Sequence, residues 1–130
     1  MPGKTIEKDD RILSRFEYQK IQKEGKRFRV SNFLVNYLIQ DGERIRFGIT
    51  VSRKMRRAVD RNRAKRVLRE FFRLNREELK SMFERGLGRV AGVNLVFVAY
   101  PGSEKLKYQD ARAQLLTGFE REIKRIGDKQ

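Results

Sequence analysis

The 130-residue chain contains no cysteine and no histidine. The first absence excludes a disulfide framework and a thiol nucleophile. Together they exclude Cys/His zinc sites and the Ser-His-Asp and Cys-His catalytic arrangements. Absence of cysteine also fits a reducing compartment, and a cytoplasmic location is expected. Long apolar runs are missing as well: nothing approaches the roughly 20 residues of a membrane span. No membrane contact is expected, and the opening stretch lacks the apolar segment of a signal peptide. Acidic residues are scarce beside basic ones, 17 against 32, which leaves a formal charge of +15. A chain of this length builds a single domain, residues 1–130, around one core. Residues 1–10 are expected to be a disordered N-terminus.

The positive charge is concentrated. Between Arg44 and Arg76 stand thirteen Lys/Arg against two acids, Asp60 and Glu70, and eleven of the thirteen are arginine. The rest of the chain has an ordinary mixed balance of 19 basic and 15 acidic residues. Arginine offers a planar fork that matches phosphate oxygens and stacks on bases, where lysine is a mobile point charge. A concentrated arginine patch therefore favours a nucleic acid as partner over simple solubility.

Around this patch the chain reads as an alternation of helices and strands. Ser14 is an N-cap, with Glu17 closing a capping box and Leu13 and Tyr18 forming a hydrophobic staple. Gly25 is the stop, so the first helix covers about Arg15 to Glu24. Phe33 to Ile39 is rich in strand formers, and Asp41-Gly42 signals a turn. Arg44 to Ser52 alternates, with Ile45, Phe47, Ile49 and Val51 on one face. A short additional strand fits near Phe28 to Val30. Ala58 to Asn75 is the main helix. Ala64, Val67, Leu68, Phe71 and Phe72 fall within an arc of roughly 140° at helical spacing. Asn62, Lys65, Arg66, Arg69 and Arg73 occupy the other side, with Arg61 and Arg63 at the borders and Glu70 beside Arg66 and Arg73 for an ion pair. Gly86, Gly88 and Gly92 mark a loop. Val93 to Ala99 is a buried strand, and Ala111, Leu115, Phe119, Ile123 and Ile126 outline a final amphipathic helix. The polar face of the Arg44 to Ser52 strand, with Arg44, Arg46, Gly48, Thr50 and Ser52, reads equally as RNA-facing or solvated, whereas the arginine excess on the helix stripe argues against a merely solvated face. No pair of carboxylates is placed for acid/base work, and no Asp/Glu cage for a metal is evident, so no catalytic residue is expected in the protein.

The run Val51-Ser52-Arg53-Lys54-Met55-Arg56-Arg57-Ala58-Val59-Asp60-Arg61-Asn62-Arg63-Ala64-Lys65-Arg66-Val67-Leu68-Arg69-Glu70 resembles the protein subunit of bacterial ribonuclease P. That family carries a Val-Ser-Lys-Lys-type strand end followed by Ala-Val-x-Arg-Asn-Arg-x-Lys-Arg-x-x-Arg on a helix. The flanking elements come in the family's order, so the resemblance covers nearly the whole chain. It implies an α+β fold, a single-domain α/β sandwich of order α-β-β-(β)-α-β-α. Its central sheet would be mostly antiparallel, with a left-handed βαβ crossover. Parallel crossovers are right-handed in about 98% of cases, and nothing in the residues themselves suggests the opposite hand.

The resemblance also implies a role as the protein component of a ribonucleoprotein endonuclease. Its partners would be the catalytic RNA and the 5′ leader of precursor tRNA, with no DNA, and Mg²⁺ would be bound mainly by the RNA. Ser52, Lys54, Arg61, Asn62, Arg63, Lys65, Arg66 and Arg69 would meet the catalytic RNA; Tyr18, Leu34, Asn36 and Thr50 would line the leader cleft. Gln22 and Asn36 stand where relatives often carry aromatics, and Arg56-Arg57 where many have Gly-Asn. Tyr18 fits two places, a core pair with Ile21 or a platform for a base. Leu34 and Thr50 rest on strand parity, and Asn36 is expected to be exposed, because a buried amide needs partners. A ribosomal or RNA-chaperone protein is the competing reading; a stand-alone nuclease is disfavoured by the missing histidine and carboxylate cluster.

Overall fold

A computed structural model of the chain describes residues 6–12 and 14–129. The elements are α1 (Arg15–Glu24), β1 (Lys26–Val30), β2 (Phe33–Gln40), β3 (Ile45–Val51), α2 (Ala58–Leu87), β4 (Gly92–Ala99) and α3 (Tyr108–Asp128). The four strands form one sheet in the order β1-β2-β4-β3. β1 with β2 and β2 with β4 are antiparallel, whereas β3 and β4 are parallel neighbours joined through α2.

The sheet is covered unequally because strand alternation gives it two apolar faces of different size. On one face Phe33, Val35, Tyr37, Phe47, Leu95 and Phe97 pack against Leu68, Phe71, Phe72, Leu79 and Phe83 of α2 and Leu115 and Phe119 of α3. Burying each of these phenylalanines contributes roughly 1.5–3 kcal/mol. On the other face a smaller cluster of Ile12, Ile21 and Val96, edged by Tyr18, Leu38 and Val98, seats α1.

Local chemistry departs from the sequence expectation in four places. The main helix does not end at Asn75 but continues to Leu87, where Gly88 at φ +74° takes the left-handed conformation that ends it. Asn75 is a buried junction: its Nδ2 donates to the Phe71 carbonyl and the Tyr108 hydroxyl, and its Oδ1 accepts from Arg112. Gly86 is a contact residue and not a loop marker, since a Cβ there would come 2.9 Å from Ile123 Cγ2 of α3. At α1, the Ser14 hydroxyl caps the helix by accepting from the Phe16 and Glu17 amides. Glu17 does not close a capping box, because Arg46 of β3 takes its carboxylate; Leu13 lies outside the described residues. Gly25 ends α1 in extended conformation, and it is glycine because a Cβ would stand 2.4 Å from the Tyr37 carbonyl oxygen.

The disorder expected for residues 1–10 does not extend over residues 6–10. Lys8–Asp10 form a 3-10 turn, and the buried Asp10 carboxylate pairs with Arg76 of α2 at 2.7 Å and with Arg44 at 3.1 Å. Ile12 then donates to the Phe47 carbonyl at 2.8 Å, tying this segment to the outer edge of β3.

Two buried polar junctions yield stability predictions. Tyr37 donates to Glu122 Oε2 at 2.5 Å between β2 and α3. Burial, and then the Glu122 carboxylate, push the phenol well above its usual range, so it remains a donor. Tyr37→Phe should cost about 1–3 kcal/mol in urea unfolding by leaving a buried carboxylate oxygen without its donor; no loss would show that Arg125 alone satisfies Glu122. For Asp10, burial opposes ionisation, but the Glu7 amide and the Arg76 and Arg44 guanidiniums outweigh it and hold the carboxyl below its usual range. A folded pKa below the unfolded value near 3.9 stabilises the fold above that value, and the effect is lost as pH falls through the folded pKa. Asp10→Asn should therefore unfold at lower urea than the parent at pH 7, with the gap closing below about pH 4. A gap independent of pH would assign the loss to packing.

Candidate nucleic-acid interface

The rotation of α2 is set by its apolar arc, with Ala64, Leu68, Phe71 and Phe72 fully buried. Asn62, Arg63, Arg66 and Arg69 are consequently exposed, and Lys65 is half-buried beside them. Arg61 differs from the flanking role expected of it. Its guanidinium turns back and donates to the Met55 and Arg56 carbonyls, which fastens the β3–α2 loop to the helix start. In that loop the Ser52 hydroxyl accepts from the Lys54 amide, fixing the turn that presents Lys54.

Ion pairing sorts the thirteen cations of this segment. Arg44 and Arg76 meet Asp10, Arg46 meets Glu17, Arg57 lies 3.9 Å from Asp60, and Arg73 pairs with Glu70. The Arg73 guanidinium holds the Glu70 carboxyl below its usual range. Among the described residues the other eight have no carboxylate partner; Arg61 is taken by the loop carbonyls, which leaves Arg53, Lys54, Arg56, Arg63, Lys65, Arg66 and Arg69. These seven run from the end of β3 along the solvent side of α2. A surface of unneutralised charge costs self-repulsion and is suited to a polyanion.

The α1 side of the sheet carries the second set. Strand register arranges it in rows across β1, β2, β4 and β3: Arg27-Asn36-Val96-Gly48, then Arg29-Leu34-Val98-Thr50. Tyr18 stands over the first row, so close that a Cβ on Gly48 would meet its hydroxyl at 2.2 Å. Tyr18 packs at the edge of the small cluster with Ile21, so it is half core, while its hydroxyl reaches β3 and takes the Ile49 backbone N–H. Burial pushes this phenol up, despite that hydrogen bond. The second row lies beyond Tyr18. There Thr50 is exposed and Leu34 and Val98 are half-buried, which leaves an open trough. Asn36 corrects the expectation of exposure: it is only 6% exposed, flanked by Arg27 and Val96 on the face that α1 covers. Gln22 is exposed on α1, and Phe16 points outward at 72% exposure.

Three residues at this interface carried no sequence signal. Arg29 lies in the trough row with its guanidinium carbon 4.0 Å from the centre of the Tyr100 ring. Such a cation–π pair joins residues 71 positions apart, and no local pattern announces it. Arg11 follows the buried Asp10 and reaches the edge of β3 just after the segment expected to be disordered. Among the described residues no group of three or more Asp or Glu stands together as a metal cage.

The family profile of Ribonuclease P matches residues 6–122. A ribonuclease P protein component from Syntrophobacter fumaroxidans is 34% identical over 110 residues, spanning 85% of this chain and 85% of its own. Another, from Geobacter sp. (strain M21), is 34% identical over 121 residues, spanning 93% of this chain and 95% of its own. The solved RNase P protein from Thermotoga maritima is similar in structure with a TM-score of 0.66 at 27% identity, covering 85% of this chain and 96% of that one. No helix among the described residues is long and apolar enough to cross a membrane. Fold, stripe and sequence thus agree, and the chain belongs to the ribonuclease P protein family, as the protein subunit of a ribonucleoprotein endoribonuclease that processes tRNA.

Proposed function

We propose that this subunit divides its two surfaces between two RNAs. The α2 stripe, with Asn62, Arg63, Lys65, Arg66 and Arg69, and with Ser52 and Lys54 at the strand end, holds the catalytic RNA. The trough on the α1 side, with Tyr18 as its wall, receives the single-stranded 5′ leader of precursor tRNA. The observation that carries this reading is the contiguous run of seven cations with neither a carboxylate nor a carbonyl partner among the described residues, beside a half-covered sheet face. A solvated basic face would need no such separation of paired from unpaired charge.

The chemistry follows from the same inventory. The hydrolytic chemistry would come from Mg²⁺ held by the RNA, which when bound would activate the attacking water. The protein's part is affinity: phosphate contacts along α2 release counterions, and the trough adds contacts that only a leader can make. Asn36 is buried and Gln22 carries no ring, so aromatic stacking is limited to Tyr18 and the Arg29–Tyr100 pair. Leader grip therefore leans on hydrogen bonds from Thr50 and on charge from Arg27 and Arg29. Arg61 supports this indirectly by holding the loop that presents Lys54 and Arg56.

Reconstitution is the direct test. Mixing the protein with a bacterial ribonuclease P RNA at near-physiological Mg²⁺ should give strong 5′-end cleavage of precursor tRNA, with none from protein alone. Tight RNA binding without stimulation would favour a ribosomal or chaperone role. Arg66→Ala should weaken assembly with the catalytic RNA by about 1–3 kcal/mol without changing urea unfolding. Tyr18→Ala should instead reduce the preference of the holoenzyme for precursor over mature tRNA, by about 1–3 kcal/mol for one lost stacking contact. Equal loss of both properties in both variants would remove the division of labour.

A further inference from the structure

The two surfaces meet at a cleft of about 200 Å³ on the open edge of β3. It is lined by Tyr18 of α1, Lys65 and Arg69 of α2, Arg11, and Gly48 and Ile49 of β3. Among the described residues no carboxylate lines it. A polar cleft elsewhere on the molecule is the contrast, since Glu7, Asp10, Glu43 and Glu77 share it with the cations.

Arg11 is held in place with unusual care for an exposed residue. The buried Asp10 pairs fix the residue before it, and the Ile12 amide bonded to Phe47 fixes the residue after it. Its own carbonyl accepts from Arg46, whose guanidinium is anchored in turn by Glu17. Among the described residues its guanidinium has no hydrogen-bond or ion-pair partner. Lys65 and Arg69 likewise lack a carboxylate. Tyr18 takes the Ile49 N–H on its oxygen, which leaves its own proton available to an acceptor in the cleft. Three cations and a hydroxyl donor thus converge on one space, and pre-positioned donors bind an oxyanion with little ordering cost.

We infer that this cleft is a phosphate-binding site, in which Arg11, Lys65, Arg69 and the Tyr18 hydroxyl hold one RNA backbone phosphate where the strand-binding trough passes onto the α2 stripe. The identity of the anion as RNA rests on the ribonuclease P reading; the existence of an oxyanion site does not. Arg11 is the new member, and its contribution is separable because its guanidinium makes no hydrogen bond or ion pair among the described residues.

The test uses the full-length protein in two arms. In the first, inorganic phosphate is titrated against the free protein at constant ionic strength and followed by amide NMR. Saturable shifts are expected at Gly48, Ile49 and Arg11, with affinity falling about tenfold in Arg11→Gln through loss of a charge-assisted hydrogen bond. Lys124→Gln, an equal change of charge on α3, should leave the affinity unchanged. Shifts spread over all basic regions, or equal weakening by both variants, would overturn the site. In the second arm, Arg11→Gln is assembled with ribonuclease P RNA, and its binding is measured as a function of salt. Loss of one phosphate contact should lower the log–log salt slope by about 0.7–0.9. The loss falls in assembly if the phosphate belongs to the catalytic RNA, and in leader-length-dependent substrate affinity if it belongs to the leader. No change in either would overturn the assignment to RNA. Failure of the wild-type protein to stimulate cleavage would count against the ribonuclease P reading alone, because the phosphate titration involves no RNA.

Discussion

The rotational setting of α2 about its own axis is the constraint on which the functional surface depends. Phe72 stacks on Phe47 of β3 with ring centres 4.1 Å apart, and Phe71 meets the edge of Phe97 at 6.0 Å. Interiors at crystal-like density admit such packing in one register only. A turn of one residue, about 100°, would send arginines into the sheet and phenylalanines into water. The apolar arc therefore does two things at once. It closes the core, and it determines which cations stand together on the outside.

A second requirement follows from the charge itself. Thirteen cations on neighbouring elements repel one another, and the fold manages this by neutralising some of them at its structural joints. Asp10 binds Arg76 and Arg44 where the N-terminal segment meets α2 and β3, and Glu17 binds Arg46 where α1 meets β3. These two acids join elements that are distant in sequence, while Asp60 and Glu70 neutralise Arg57 and Arg73 locally. The cations left over lie on one continuous surface, so structural pairing and functional exposure are two results of one allocation. Placing another acid on the stripe would relieve repulsion, but it would also compete with phosphate for the same guanidiniums.

Much of this was legible in the sequence because it depends on local periodicity. The bounds of α1, the alternation of β3 and the buried face of α2 follow from spacing, and the Arg-Asn-Arg run carries the family resemblance. What was hidden depends on partners far along the chain. Asn75, Arg76, Glu77 and Glu78 look like the polar end of a helix; Asn75 is buried by Tyr108 and Arg112, and Arg76 by Asp10. Asn36 lies on the face that parity assigns to it, but its burial is decided by α1 and by its cross-strand neighbours. The order of residues 6–10 comes from one carboxylate whose two partners lie 34 and 66 positions away. Periodicity reports which way a side chain points, and only assembly reports what covers it.

The outer edge of β3 brings these points together. An edge strand exposes unpaired backbone groups and invites pairing with another chain, so proteins protect it with charge or with a covering segment. Here Ile12 covers the Phe47 carbonyl, and the Tyr18 hydroxyl takes the Ile49 N–H. Arg11, Lys65 and Arg69 surround the remainder. Those cations repel the edge of another basic copy as effectively as they attract a phosphate. On the proposed reading, protection of the edge and recognition of RNA make the same demand on the same residues. If the cleft holds a phosphate as inferred, a neutral substitution at Arg11 should weaken both, whereas a substitution on the far side of α3 should touch neither.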